Sequence, residues 1–275
     1  MLTVAQISDV HICRGHEAAR RDRAEARLRQ VLRAIMALRP RPAAIVATGD
    51  LTEAGDLESY AAFRAILTEE TDLPVYPGVG NHDLRANFIQ AFDWPADRLA
   101  EGFVQYGVDL PEGLRLVMCD SLDEGEAGGG FCKTRAGWLR GVLEGGPADP
   151  VLVAIHHPPV VSGIRWMDPS PDAPWIGRLA GALQGHDQVQ GLICGHLHRP
   201  LVSRLAGVTV AVAMATDIQL TLDLTEVDMR RPDGRELLVE EPPGYALHMW
   251  AGGRLTTHFC VAGRYRPAVT FTRPF

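Results

Sequence analysis

The chain has 275 residues, of which 46% are hydrophobic and 22% are charged, a composition that excludes the disordered, collagen-like and disulfide-scaffold classes. Its 27 Lys and Arg residues against 34 Asp and Glu residues give a formal net charge of −7, which argues against a long nucleic acid or an anionic membrane as partner. No apolar run approaches the ~18 residues that span a bilayer, and the 5 scattered cysteines are typical of reduced thiols, so we expect a cytoplasmic protein.

Short apolar runs alternate with helical periodicity up to about residue 216. Apolar residues recur at helical spacing from Leu28 to Leu38 and from Ile176 to Leu183, which predicts a helix in each segment. Asp56 and Thr134 are residue types that commonly cap helix N-termini, so we expect two further helices there. Strands that alternate with helices favour an α/β fold with a parallel or mixed sheet. The predicted strands are Leu2–Ile7, Ala43–Ala47, Pro74–Val79, Leu114–Cys119, Val151–Ile155, Val189–Cys194 and Val208–Met214.

The pattern changes after about Thr216, where β segments are joined by turns and no helix is predicted. We therefore divide the chain into a main domain, residues 1–220, and a β-rich C-terminal extension, residues 221–275. The extension would complete a second sheet or form a subunit contact in a homodimer or higher homo-oligomer. Its predicted strands are Leu220–Leu224, Glu236–Glu240, Tyr245–Trp250 and Arg254–Val261.

Potential metal-binding side chains follow five of the predicted strands. Ligands of open α/β sheets bind beyond the carboxyl ends of the strands, so we expect these side chains to meet at one edge. Carboxylate, imidazole and amide groups without a thiolate suit Fe, Mn, Zn or Co. Alternate residues of an extended chain point to the same side, so both side chains of an Asp-x-His or His-x-His pair would turn to the same side. The motifs are Ser8-Asp9-Val10-His11, Gly49-Asp50, Gly80-Asn81-His82-Asp83, His156-His157-Pro158-Pro159 and Gly195-His196-Leu197-His198.

Each motif alone also has an ordinary structural explanation. An Asp-x-His or a Gly-Asp sequence after a strand is commonly just a turn, and one histidine of the pair His156 and His157 is expected to serve packing. Five such motifs in this order, each at a strand end, favour a shared metal centre over five separate turns.

Together, these motifs resemble those of the calcineurin-like metallophosphoesterases. The length, the His-His-Pro-Pro motif and the β-rich tail are most similar to bacterial class III cyclic-nucleotide phosphodiesterases and the related glycerophosphodiesterases. The resemblance is strong over residues 1–220 and looser over the tail. It implies an α/β (α+β) fold, a four-layer sandwich of two mixed β-sheets flanked by helices, with the metals where the loops of the sheets converge.

The resemblance also implies a role for each motif residue. Asp50 would bridge two metal ions, and Asn81 and His82 would contact the substrate. His82, hydrogen-bonded or paired with Asp83, would stabilise a phosphoryl oxygen and protonate the leaving group, which makes both residues candidate catalytic groups. The implied ligand sets are Asp9, His11, Asp50 and His198 for one ion, and Asp50, Asn81, His156 and His196 for the other.

Two segments depart from the family pattern. The motif at Gly49 continues as Leu51-Thr52-Glu53, so the supporting role of Thr52 or Glu53 stays open. Ile218 stands where related diesterases often carry a histidine or a small polar residue, which leaves the identity of the substrate open.

The resulting functional prediction is hydrolysis of a small phosphodiester, of the cyclic-nucleotide or glycerophosphodiester type. Two metal ions (Fe, Mn, Zn or Co) ~3.5–4 Å apart would lower the pKa of a bridging water, and the resulting hydroxide would attack phosphorus. One alternative is a phosphomonoesterase, a nuclease or a nucleotide pyrophosphatase on the same site, and another is a non-catalytic metal-binding scaffold.

Two further groups of residues have open roles. The loop that contains Trp166, Met167 and Trp175 would either cover the substrate pocket or form a separate hydrophobic cluster. The Arg run from Arg20 to Arg33 would form a solvated helix face, and a role in attracting the phosphate stays open for Arg14 or Arg20.

Overall fold

The computed structural model describes residues 1–15, 17–146 and 149–270, without the side chain of Asp97. Two β-sheets pack face to face and helices cover their outer faces, which confirms the α/β (α+β) four-layer sandwich. The helices are α1 (Ala18–Met36), α2 (Leu57–Glu70), α3 (Arg85–Ala91), α4 (Lys133–Gly145) and α5 (Pro174–Leu183), with short 3₁₀ turns at Ala96–Arg98 and Pro111–Gly113.

Two of the predicted helix N-caps can be compared with the helix starts in the structure. Asp56 caps α2 as predicted, because its carboxylate accepts a 2.8 Å hydrogen bond from the backbone N–H of Ser59. The prediction of Thr134 as a cap is wrong, since α4 begins at Lys133 with Cys132 as its N-cap residue. Thr134 therefore lies inside the first helical turn.

The first sheet has the strand order β13-β12-β1-β2-β3, and the second has the order β4-β5-β6-β7-β9-β8. Strands β10 and β11 form a separate two-stranded ribbon. The strands are β1 (Leu2–Ile7), β2 (Ala44–Ala47), β3 (Val75–Pro77), β4 (Tyr106–Asp109), β5 (Arg115–Cys119), β6 (Val151–Ile155), β7 (Val189–Cys194), β8 (Leu201–Leu205), β9 (Val208–Val212), β10 (Gln219–Leu220), β11 (Leu238–Val239), β12 (Gly244–Ala251) and β13 (Arg254–Val261).

Residue alternation along β5 shows how the layers are built. Leu116 and Met118 are buried in one hydrophobic core together with residues of the first sheet, α1 and α2. Val117 and Cys119 are buried in a second core with residues of α4 and α5. Because successive side chains of a strand point to opposite faces, β5 packs on the other sheet with one face and on helices with the other.

The C-terminal strands join the first sheet. β12 pairs antiparallel with β1, with Leu2 opposite Trp250 and Gln6 opposite Ala246, and β13 pairs antiparallel with β12. The free edge of β1 accepts this hairpin because β2 pairs with the opposite edge. The division of the chain at residue 220 stays a prediction.

The two strands predicted before this hairpin are shorter than expected. β10 and β11 pair through only two positions, Gln219 with Val239 and Leu220 with Leu238. Most residues between them are exposed, so no buried face extends the pairing. No helix is found among residues 221–270, as predicted.

Candidate metal centre

Every predicted metal ligand lies at one end of the two facing sheets. The motifs that follow β1, β2, β3, β6 and β7 converge there, as expected for the carboxyl ends of strands. They form the floor of a cleft of about 280 Å³. Asp9, Asp50 and His156 are at most 1% exposed, and His11 is 6% exposed.

One group of ligand atoms lies around Asp9. Its Oδ1 is 3.3 Å from Nε2 of His198, and the Nε2 atoms of His198 and His11 are 3.2 Å apart. Suitable donor atoms of these side chains all lie within 4.8 Å of one another. This group matches the predicted ligand set of the first ion, apart from Asp50.

The second group lies around Asn81. Its Oδ1 is 3.2 Å from Nε2 of His156 and 3.0 Å from Nδ1 of His196. Asp50 lies between the groups, because its Oδ2 is 3.2 Å from Nε2 of His156 and 3.8 Å from Nε2 of His11. The structure therefore brings all seven predicted ligands together, with Asp50 between the two groups.

The backbone at this floor adopts an uncommon conformation. Asp9, His11, Asp50, His196 and His198 have φ angles between 47° and 69°, in the left-handed region that few non-glycine residues occupy. Such a conformation costs of order 1–3 kcal/mol per residue and concentrates at functional sites. The strand ends therefore turn sharply and direct these side chains into the cleft.

Two glycines permit the close approach of these loops. A Cβ atom on Gly80 would collide with the carboxylate of Asp50, and one on Gly195 would collide with Ser8 and Asp9. Only glycine fits at either position, because the neighbouring atoms are buried backbone and ligand side chains.

Hydrogen bonds from the far side fix three of the imidazole rings. Nδ1 of His156 donates to the carbonyl of Thr48 at 2.9 Å, and Nδ1 of His198 donates to the carbonyl of Ile218 at 2.6 Å. His11 Nδ1 donates to the carboxylate of Glu53 at 2.9 Å. Because Nδ1 carries the proton in each ring, Nε2 keeps its lone pair for a metal ion.

These contacts leave acceptor atoms facing one another in the cleft. With neutral rings, the Nε2 lone pairs of His11 and His198 would face each other at 3.2 Å, and Nε2 of His156 would face carboxylate and amide oxygens. Among the described residues, no Lys or Arg side chain is paired with Asp9 or Asp50. Facing acceptors and buried carboxylates require a positive charge between them, so the donor set fits two cations.

The pKa values of these groups show the same need for positive charge. Burial alone would lower the pKa of His11 and His156, but the carboxylates of Glu53 and Asp50 outweigh it and raise each pKa to about 9. Burial alone would raise the pKa of Asp9, but His198 outweighs it and lowers the pKa to about 2. Without a metal ion, protons on the imidazoles balance the buried carboxylates.

His82 lies in the cleft as predicted, but its expected contact with Asp83 is wrong. Nδ1 of His82 donates to the carbonyl of Glu53 at 2.9 Å, and its backbone N–H donates to Asp50 Oδ1 at 2.8 Å. The carboxylate of Asp83 points away from the cleft and accepts hydrogen bonds from the hydroxyl of Tyr60 at 2.9 Å and the N–H of Gly80 at 3.0 Å.

Asp83 instead ties together the loops that hold Asp50 and Asn81. It also accepts hydrogen bonds from the N–H groups of Leu51 and Thr52, at 3.2 and 3.3 Å, and is 1% exposed. Burial, with the nearby charge of Asp50, raises the pKa of Asp83 to about 6. We therefore assign Asp83 a positioning role in place of the predicted catalytic one.

Of the two residues that the sequence left open as supporting groups, Thr52 and Glu53, it is Glu53 that contacts a predicted ligand. It orients His11 and also pairs with Arg20 at 2.5 Å. Thr52 contacts Asp83 rather than a ligand. Arg20 lines the cleft, so it is placed where it could attract a phosphate.

Sequence reasoning missed the backbone carbonyls of Thr48 and Ile218 as orienting groups. No side-chain signal could have revealed them, because every residue carries a carbonyl. It placed Ser121 near the site as a loop residue but missed its contact with His157, in which the hydroxyl lies 2.8 Å from Nδ1. His157 is 2% exposed and packs against His196, with 4.6 Å between ring centroids, in agreement with its predicted packing role.

The loop around Trp166 lines the cleft, which is one of its two predicted alternatives, and Trp175 belongs to α5 rather than to this loop. Trp166 and Met167 line the cleft, while Trp175 is buried in the hydrophobic core between α4, α5 and the second sheet. The cleft therefore has a polar floor and a partly apolar roof.

Comparisons with known proteins agree with this geometry. The model of the calcineurin-like phosphoesterase family matches residues 2–200. A probable glycerophosphodiester phosphodiesterase of Arcobacter nitrofigilis is 33% identical over 275 residues, which cover 98% of this chain and 97% of the relative. A probable cyclic nucleotide phosphodiesterase of Rhodococcus erythropolis is 33% identical over 244 residues, covering 85% and 77% of the two chains.

Solved structures share the fold at low sequence identity. A purple acid phosphatase from yellow lupin seeds has a TM-score of 0.61 at 13% identity, over 94% of this chain and 49% of that one. The GAP50 anchor of the inner membrane complex of Plasmodium has a TM-score of 0.56 at 14% identity, over 95% and 84% of the chains. Among the described residues, no helix is long and apolar enough to cross a membrane.

Proposed function

The chain belongs to the calcineurin-like phosphoesterase family, and we propose that it is a dinuclear metal-dependent hydrolase of small phosphodiesters. The observation that carries the proposal is the position of Asp50, whose Oδ2 lies between His156 and His11 of the two ligand groups. Two relatives that align over most of this chain carry phosphodiesterase names, which supports a diester as substrate.

Seven residues would hold the two ions. Asp9, His11, Asp50 and His198 would hold one, and Asp50, Asn81, His156 and His196 the other. When bound, two such ions supply positive charge for the phosphoryl oxygens and lower the pKa of water. Fe, Mn, Zn and Co all accept this set of nitrogen and oxygen ligands.

His82 would serve the reacting phosphate directly. Its Nδ1 is occupied by the carbonyl of Glu53, so Nε2 is the atom free to bind a phosphoryl oxygen or to give a proton to the leaving alkoxide. The backbone N–H of His82 donates a hydrogen bond to Asp50 Oδ1, which holds the backbone of His82 next to this candidate ligand. Asn81 would contact the same phosphate from the adjacent position.

The test compares two substrates on one preparation. Protein reconstituted with Mn²⁺ should hydrolyse bis-p-nitrophenyl phosphate with a higher kcat/KM than p-nitrophenyl phosphate, and bound metal should approach two ions per chain. A clear preference for the monoester would instead support the phosphomonoesterase alternative. Two bound ions without turnover of either ester would support a non-catalytic scaffold.

Location and assembly are part of the same proposal. We propose a cytoplasmic enzyme because none of the five cysteines is paired, as is typical of a reducing compartment. We also keep the homodimer or higher homo-oligomer as a proposal, supported by the exposed apolar side chains of Phe259 and Val261 on the edge strand β13. Long nucleic acids are not expected as substrates, since the net charge is −7.

A further inference from the structure

A second cavity of about 200 Å³ adjoins the metal cleft. The two cavities share Ala127, Trp166, Met167 and His196 as lining residues. A group attached to a phosphate in the cleft would therefore lie beside this cavity. We call it the side pocket, and its walls include Trp166, Met167, Trp175, Leu197, His157 and residues 127–129.

The walls of the side pocket are largely flat and apolar. Two indole rings and a thioether supply polarisable surface, which favours contact with the face of an aromatic ring. Gly129 packs directly on His157, since a Cβ atom at Gly129 would lie 2.7 Å from that of His157. The opening beside His157 thus depends on a residue without a side chain.

His157 contributes a polar atom that has no partner. The hydroxyl of Ser121 accepts a 3.1 Å hydrogen bond from the backbone N–H of His157 and lies 2.8 Å from its Nδ1. Among the described residues, Nε2 of His157 makes no well-formed hydrogen bond, although the side chain is 2% exposed and the backbone of Ala127 lies near the ring. A buried polar atom without a partner costs free energy, so a ligand that bonds to it gains more than one that does not.

Asp168, the charged residue in this wall, already accepts hydrogen bonds from its own loop. The carboxylate of Asp168 accepts hydrogen bonds from the N–H and hydroxyl of Ser162, both at 2.6 Å, and from the N–H of Gly163 at 2.9 Å. These donors hold Asp168 within its own loop. The side pocket therefore offers aromatic faces and one free imidazole nitrogen rather than a free carboxylate.

We propose that the side pocket binds a planar heteroaromatic ring carried by one ester group of the phosphodiester, as a nucleobase is. The proposal rests on the proposed function, because the phosphate must lie in the metal cleft. A glycerol group would leave the indole faces without a stacking partner. A trimethylammonium group would find aromatic rings but no free carboxylate, and it could not bond to His157.

The experiment uses two diesters, of which one carries a nucleobase on its deoxyribose and the other does not. The methyl ester of thymidine 5′-phosphate is compared with the methyl ester of 2-deoxyribose 5-phosphate on Mn²⁺-reconstituted protein, with hydrolysis followed by phosphorus NMR. Stacking of a base on aromatic side chains is worth ~1–3 kcal/mol, so kcat/KM should be at least about fivefold higher for the thymidine ester. A ratio within twofold of one would overturn the proposal, as would a higher kcat/KM for glycerophosphocholine.

Variants assign the preference to the side pocket. Trp166→Ala should bring the ratio of the two kcat/KM values close to one, whereas Val161→Ala, which changes an exposed residue of the same loop, should keep it. His157→Phe retains a ring but removes the nitrogen, and it should lower the ratio by about 2–10-fold. An unchanged ratio in both Trp166→Ala and His157→Phe would refute the assignment. Because a ratio is measured within each enzyme, a general loss of activity does not affect it.

Calorimetry separates this inference from the proposed function. Thymidine 5′-phosphate should bind the metal-loaded wild type at least about fivefold more tightly than 2-deoxyribose 5-phosphate does, and Trp166→Ala should remove the difference. If neither ester is hydrolysed but this preference is present, the proposed function fails and the side pocket stands. If both esters are hydrolysed equally and the two products bind equally, the inference fails and the proposed function stands.

Discussion

The floor and the roof of the cleft are built in different ways. Floor residues such as Asp9, Asp50 and His156 are almost fully buried, and hydrogen bonds hold their rings and carboxylates in place. The roof includes the half-buried Trp166 and Met167 and the exposed Ala127, all on loops.

Because of this difference, we expect the floor to determine the reaction and the roof to determine which substrates bind. Changing one floor residue leaves a buried charge or an acceptor without a partner, which is costly in any member of the fold. A roof residue on a loop can change without such a cost, so the size and shape of the pocket can vary while the floor stays the same. We therefore expect floor variants to affect every substrate and roof variants to affect substrates selectively.

The largest effect is expected for Asp50→Ala, which removes the carboxylate between the two ligand groups. Bound metal should fall from two ions per chain to one or none, as measured by elemental analysis. Activity should fall by more than about 10⁴-fold, since metal ions supply several kcal/mol of transition-state stabilisation and 1.36 kcal/mol is tenfold in rate. The control Asp72→Asn changes an exposed ion pair with Arg41 and should retain both ions. Two retained ions in Asp50→Ala would contradict the bridging role.

A smaller and more selective loss is expected for His82→Ala. Metal content should stay near two, while turnover of an alkyl diester should fall by ~10²–10⁴-fold if Nε2 protonates the alkoxide. The loss should be smaller with a p-nitrophenolate leaving group, which needs no proton. Equal losses on both substrates would indicate phosphate positioning alone. Loss of a metal ion would instead make His82 a ligand. The exposed His258 gives the matched control, His258→Ala.

A moderate effect is expected for Glu53→Gln, which weakens the hydrogen bond that orients His11. Groups that orient a metal ligand are typically worth ~10–100-fold in metal affinity. Titration of the metal-free protein with Mn²⁺ should show such a decrease for one ion, with the other little changed. The exposed Glu69, paired with Arg29, provides the control Glu69→Gln. Equal weakening of both ions would contradict a specific role at His11.

The smallest effect on activity is expected below the floor, at His248. Nε2 of this buried residue is 2.9 Å from Oε1 of Gln6, which in turn contacts Thr48, and burial lowers the pKa of His248 to about 3. The unfolded chain takes up a proton near pH 6.5, but the folded chain does not until about pH 3. The free energy of unfolding is therefore fully retained above pH 6.5 and decreases as the pH falls below it, by up to ~1.4 kcal/mol per pH unit.

The variant His248→Gln removes this titration. Urea unfolding of metal-free wild type and variant between pH 7 and pH 4 should show a shallower pH dependence for the variant, with kcat of the metal-loaded enzyme at pH 7 changed by less than about threefold. Parallel pH profiles would show that His248 does not titrate in this way.

The positions of most strands and the convergence of the candidate ligands at strand ends could be predicted because they depend on residue type and order. Apolar runs such as those that form β1 and β7 can only be buried, and Asp, His and Asn directly after them can only lie at strand ends. The role of Asp83 could not be predicted, because its partners Tyr60 and Leu51 are distant in sequence. No sequence pattern indicates that these residues contact one another. The prediction of a cap at Thr134 was wrong because the first residue of a helix also depends on where the preceding loop ends.

The amino-acid sequence by itself determined the sandwich of strands and helices, the location of the candidate metal ligands and the family. Only the tertiary structure decided which nitrogen of each histidine faces the cleft. The deciding partners of His156 and His198 are the backbone carbonyls of Thr48 and Ile218. Every residue carries a carbonyl, so only the path of the folded chain places one behind each ring and leaves the opposite nitrogen free for a metal ion.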